Sequence, residues 1–107
     1  MAGCDPTGYG AVVPGFGDQR NIELLVEAGF TPAQAVQIAT FNGAKYMGKD
    51  ATIGSIAAGK TADLVVLGGN LAENIDNIEN VETVFKDGVG YDPAKLIQSV
   101  TGLVGLR

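Results

Sequence analysis

Histidine is absent from the sequence and cysteine occurs once, as Cys4, so the side chains that most often ligate zinc or activate a nucleophile are nearly missing. One cysteine and no histidine cannot assemble a zinc site of the usual kind from this chain, and no Ser-His or Cys-His pair can form. A lone cysteine also excludes an intrachain disulfide and leaves the redox compartment unread. Lys and Arg number 7 against 12 Asp and Glu, a net charge of −5, and they nowhere gather into the basic stripe that a phosphate backbone requires. Nucleic acid is not an expected partner. Long hydrophobic runs are lacking too: the longest, Leu64 to Leu67, is far short of the roughly 20 residues that cross a bilayer. The opening MAGCDPTG has neither the charged nor the apolar region of a signal peptide. The expectation is a soluble chain with no membrane partner, cytoplasmic by default.

What is present suits packing. Hydrophobic residues make up 46% and charged residues 18% of the 107, away from the composition of disordered chains. The 16 glycines are about twice average usage, which requires frequent tight turns. Residues 2–17 read as a strand end running into a long loop. Ile22, Leu25 and Val26 at helical spacing, with Asp18 in the first turn, predict a helix over 18–28, ended by Gly29 in a left-handed cap. Thr31-Pro32-Ala33-Gln34 is a capping box with proline at the first helical position, opening a helix to about Thr40 that buries Ala35, Val36, Ile38 and Ala39. Asn42 is placed to cap a further turn through Met47, stopped by Gly48.

Beyond Gly48 the texture becomes β. A short strand over 53–56, a turn over 57–60 and a return strand ADLVVL over 62–67 are expected, the last buried on both faces because it is continuously apolar. Val81 to Lys86 alternates, Asp87-Gly88 supplies a hairpin turn into Val89 to Tyr91, and Asp92-Pro93 starts a last helix over 93–101. The chain divides at this level into 1–50, 51–92 and 93–107.

Gly54-Ser55-Ile56-Ala57-Ala58-Gly59-Lys60-Thr61 matches the phosphate-loop pattern GxxxxGK[ST] letter for letter. That loop works only between a strand and a helix whose first amides hold the phosphates. Here ADLVVL, a strand by composition, follows the lysine. The segment therefore reads as a β-turn with Lys60 solvated, and no nucleotide-binding residue is expected.

The string IGSIAAGKTADLVVL, with the helix TPAQAVQIATFNGAKYMG before it and NVETVFKDGVGY after it, resembles the C-terminal signature of the amidohydrolase superfamily, most of all its imidazolonepropionase-like and Xaa-Pro dipeptidase-like branch. The resemblance runs from about Ala2 to Tyr91. It implies an α/β fragment: the last β/α unit of a (β/α)8 barrel, plus the C-terminal strands of a small composite β-sandwich. Ala2 to Cys4 would close the eighth strand. In that family an Asp at the end of this strand binds the catalytic divalent metal, most often zinc, and takes a proton from the attacking water. Asp5 occupies that position and is the candidate for both the catalytic and the metal-ligating role, although an Asx-type turn ahead of Pro6 is the other reading of the same residue. The family's histidine ligands have no counterpart here. Cys4, where the family commonly has Thr or Ser, reads as a small buried side chain. Thr7, Tyr9, Phe16 and Asp18 would face the pocket mouth and touch substrate, or else belong to a glycine-hinged surface loop. Thr40 and Asn42 read as helix-cap groups.

Two functions follow as expectations. The first is the C-terminal segment of a metal-dependent hydrolase of carbon-nitrogen bonds (amide, cyclic amide or X-Pro dipeptide), inactive alone, its partner being the missing N-terminal part of the enzyme. The second is a non-enzymatic module that pairs with a second copy of itself, because ADLVVL and VETVFKDG would leave strand edges open.

Overall fold

The computed structural model describes residues 2–6, 12–13 and 15–103. In chain order it has α1 (Phe16–Glu27), α2 (Pro32–Ala39), α3 (Phe41–Tyr46), β1 (Leu64–Leu67), a 3-10 turn (Ile75–Glu79), β2 (Val81–Lys86), β3 (Val89–Tyr91) and α4 (Pro93–Val100). The strands form one antiparallel meander in the order β1-β2-β3.

Local chemistry explains most boundaries. Helix α1 stops where Gly29 takes φ +101°, its N–H donating to Val26 O and the next N–H, of Phe30, to Leu25 O, so that two terminal carbonyls are satisfied. Gly48, at φ +67°, ends α3 in the same way. Thr31 and Gln34 form the reciprocal capping box of α2, Thr31 N donating to Gln34 Oε1 at 2.9 Å and Gln34 N to Thr31 Oγ1 at 3.3 Å. Asp87 (φ +51°) and Gly88 (φ +79°) give the two left-handed residues of a tight hairpin, pairing Lys86 with Val89. Asp92 accepts from the N–H groups of Ala94 and Lys95 and opens α4 ahead of Pro93.

Several expectations need correction. Residues 2–4 form no strand, and α1 begins at Phe16 rather than at 18, with Gly17 N bonded back to Val13 O. Asn42 lies inside α3 and does not cap it; the preceding Thr40 instead donates its hydroxyl to Val36 O at 2.7 Å. Residues 53–55 are bends and Ile56, 87% exposed, is in no strand, because Gly54 at φ +84° is pressed flat on α3 and cannot extend. Ala62 and Asp63 stay outside β1 because they bond the hairpin turn: Ala62 O accepts from Gly88 N, and the Asp63 carboxylate takes Asp87 N at 2.8 Å and Lys86 Nζ at 2.7 Å.

The expected burial of ADLVVL on both faces is also corrected. Val65 and Val66, on opposite faces of β1, are 57% and 42% exposed. Among the described residues no second layer covers the sheet: α4 packs near β2 but buries none of its own side chains, leaving Leu96, Ile97 and Val100 exposed. Apolar residues fully buried within the described chain are only Ala35 and Ala44, on α2 and α3. Val36, Ile38 and Ala39, expected in the core with Ala35, are half-buried.

Candidate functional site

The candidate site lies where the segment around Asp5 meets the start of α1. A Cβ at Gly17 would stand 2.3 Å from Val12 Cγ1 and 3.0 Å from Cys4 Cβ, so the absence of a side chain at this helical position is what admits Cys4 against the first turn. Cys4, expected to be buried, is half-buried. Its thiol is held above the ordinary cysteine range, first by a hydrogen bond to the Asp18 carboxylate, then by burial and by the charges of Asp18 and Asp5. The thiolate is thereby suppressed.

Asp5 is exposed and adopts φ +40°, a left-handed conformation uncommon outside glycine, immediately before Pro6. Phe16 is 68% exposed and helps line a shallow cavity of about 310 Å³ that also touches Cys4, Val12, Arg20 and Leu24. The structure thus brings Cys4, Phe16 and Asp18 to one end of α1, with Asp5 near enough for its charge to act on the Cys4 thiol. Asp5 does not line the cavity. Thr7 and Tyr9 lie outside the described residues.

The donor set does not fit a metal by itself. Among the described residues no group of three or more His, Cys, Asp or Glu side chains is placed to hold one. Two carboxylates beside a thiol held protonated fall short of the ligand number that zinc requires.

An unpredicted charge cluster stands next to the cavity. Arg20 Nη1 bridges Glu23 Oε2 at 2.8 Å and Glu27 Oε1 at 2.7 Å, and Glu23 is only 7% exposed. These bonds, to Glu23 first and Glu27 second, raise the guanidinium's affinity for its proton still further. Positions 20, 23 and 27 share one helix face, so the pairing was readable from spacing. Gln19 Nε2 donates to Ile78 O at 3.3 Å and ties α1 to the 3-10 turn before β2.

Lys60, expected to be solvated, is half-buried and bonded within its own loop. The helix that a phosphate loop needs after its lysine is replaced by extended chain and β1.

Comparison with known proteins bears on most of the chain, the family match beginning beyond Cys4 and Asp5. A model of the Amidohydrolase family matches residues 8–90. The chain is 34% identical over 75 residues to adenine deaminase 2 of Jannaschia sp. (strain CCS1), covering 69% of this chain and 12% of that protein. Its fold is similar to a crystal structure of a Xaa-Pro dipeptidase with methionine bound in the active site (TM-score 0.69, 38% identity, 79% of this chain and 21% of that one). It is also similar to phenylurea hydrolase B (TM-score 0.74, 33% identity, 87% and 20%). The chain therefore spans about an eighth of the curated relative's length and about a fifth of each solved structure.

Proposed function

The chain belongs to the amidohydrolase family, and on that premise we propose that it is the C-terminal segment of a metal-dependent hydrolase of carbon-nitrogen bonds. The observation that carries the reading is the continuous family match over residues 8–90, which joins the helices of one end to the strands of the other in a single block. The similar proteins are named for deamination, dipeptide cleavage and phenylurea hydrolysis, which supports the bond class and leaves the substrate open. In this reading 1–50 completes a barrel, 51–92 contributes strands to a composite sandwich, and 93–107 forms the terminal helix and tail.

Asp5 is the residue we assign to the divalent metal, taken as zinc, and to the proton handling around it. Its exposure is consistent with a carboxylate whose co-ligands come from another stretch of polypeptide, because the sequence holds no histidine. Thr7, Tyr9, Phe16 and Asp18 are assigned to the mouth of the same pocket. The 107 residues alone are then inactive and bind divalent metal weakly.

A chimera tests the assignment. Replacing the matching segment of phenylurea hydrolase B by this chain should give a metal-dependent hydrolase, and Asp5→Asn in that chimera should lower the rate by about 10² to 10⁴, the usual range for a lost acid-base carboxylate. Full activity of the Asp5→Asn chimera, or hydrolysis by the isolated chain, would overturn the proposal. Calorimetric titration of the isolated chain with zinc supplies a second readout, in which tight stoichiometric binding abolished by Asp5→Ala would refute weak binding.

A second reading is favoured by the exposed Val65, Val66 and α4: a self-associating module, most simply a symmetric dimer pairing sheet edges. Light scattering across a concentration series decides between them, since a folded monomer at high micromolar concentration removes the module.

A further inference from the structure

The motif over 54–61 has no part in the hydrolase reading, yet its lysine is held by several groups at once. Lys60 Nζ donates to the carbonyl of Asp50, to Ser55 Oγ at 2.7 Å and, more weakly, to the carbonyl of Ile53 at 3.5 Å. The Phe41 ring lies with its centroid 5.9 Å from the same nitrogen, a cation–π distance. An ammonium has three N–H donors, and here three oxygens take them. None of the three oxygens is a carboxylate, and three are far fewer than the six to eight that calcium collects.

The surrounding segment has no helix or strand of its own between Tyr46 and Leu64. Its order rests on a few contacts: Thr61 N to Thr52 O at 2.9 Å, Ile53 N to Lys49 O at 3.0 Å, and Gly54 flush against Ala44 of α3. The first of these spans Lys60, and the other two hold the stretch that its ammonium reaches back to. We infer that residues 50–60 form a primary-ammonium site that the chain fills with its own Lys60, and that this latch holds the 49–61 segment as a strap on α3. The inference does not depend on the hydrolase reading. The loop that resembles a phosphate cradle presents oxygens inward to a cation, the reverse of a nest of amides pointing at an anion.

Hydrogen exchange on the whole chain tests it. In the wild type the amides of Thr61 and Ile53 should be protected, and Lys60→Met, which keeps the length but removes the charge, should speed their exchange about tenfold to a hundredfold, as the loss of a charged hydrogen bond implies. The amide of Ala28, bonded within α1, should change little. Lys60→Ala supplies the decisive arm: n-propylammonium, which matches the missing stem and head, should restore protection, whereas tetramethylammonium, with equal charge and no N–H, should not. An unprotected Thr61 in the wild type would overturn the latch. So would an unchanged rate in Lys60→Met, or equal effects of the two ammonium ions on Lys60→Ala. If Lys60→Ala unfolds the whole chain, selective refolding by n-propylammonium still supports the site and its failure still refutes it.

Discussion

Replacing Gly54 by alanine should be far more damaging than the same change at Gly59, although the two glycines have nearly the same backbone angle, φ +84° and φ +85°. At Gly59 the new methyl meets nothing within 4 Å, so the cost is only that of a left-handed alanine, about 1–2 kcal/mol. At Gly54 the methyl would sit 2.4 Å from Ala44 Cβ, 3.2 Å from Phe41 Cα and 3.3 Å from Thr40 O. Carbon contacts are optimal at about 3.5–4.0 Å, so roughly an ångström must be found. None of these atoms can swing away, because two are backbone and the third is the Cβ of a residue 2% exposed. Either α3 shifts or the strap lifts and strips Lys60 of its oxygens. Overpacking of this kind adds about 1–3 kcal/mol, giving about 2–5 kcal/mol in all. Urea denaturation followed by circular dichroism reads the difference: at about 1 kcal/mol per M, Gly54→Ala should melt about 1–3 M below Gly59→Ala. An osmolyte such as trimethylamine N-oxide can hold both variants folded at the start of the titration. Adding Ala44→Gly to Gly54→Ala should recover part of the loss by restoring room, a coupling that separate sites would not show. Equal midpoints for the two alanine variants would refute the close packing of the strap.

The Asp63 carboxyl is held below its ordinary range by Lys86 and then by the Asp87 N–H, while Asp63 raises the Lys86 ammonium. The depressed carboxylate stabilises the fold above its unfolded value and that contribution is lost as pH falls through the lower folded value; the raised lysine contributes below about 10.5 and is lost as pH climbs through its folded value. The thermal midpoint of wild type should therefore fall on both limbs, and Asp63→Asn should flatten both; unchanged limbs would refute the pair. Thr31→Ala removes the hydroxyl arm of the capping box, leaving Thr31 N–H to donate to Gln34 Oε1, and should cost about 1 kcal/mol in the same urea assay, with Thr31→Ser recovering most of it. Because Asp18 raises the Cys4 thiol, iodoacetamide at pH 8 should label Cys4 more slowly in wild type than in Asp18→Asn, and equal rates would dissolve that contact.

The parts of the fold that sequence conveyed are those fixed by neighbours. The capping box, the left-handed stops at Gly29 and Gly48 and the Asp87-Gly88 hairpin each involve residues a few positions apart with strong backbone preferences. The strap was not legible, because its shape comes from Gly54 meeting Ala44 and Lys60 reaching back to Asp50, contacts with no period to detect. The continuous apolarity of β1 says that burial is favourable and cannot say what does the covering, so Val65 and Val66 were placed inside a core that the described residues do not provide. At the site, Cys4, expected to be a buried side chain, is only half-buried and lies in no strand, because its burial was tied to a strand that does not form. The Arg20, Glu23 and Glu27 spacing was present but unread, because charges on a surface helix are usually solvated. The role proposed for Asp5 rests on the order of family blocks, since nothing in its immediate neighbours separates a ligand from a turn.

The chain between β1 and β2 closes on its own amides. Asn70 and Asn74 accept from N–H groups two residues on, Asn77 Nδ2 donates to Asn70 O, and Asn80 Nδ2 donates to Gly68 O. Every one of these bonds spans at most 12 residues, so the entropy of closing the loop is modest. The expected consequence is a low-contact-order route in which the loop forms early and β1 meets β2 outward from Leu67 and Val81. Substituting these asparagines should slow refolding more than it speeds unfolding, the kinetic signature of a loop that acts as a nucleus.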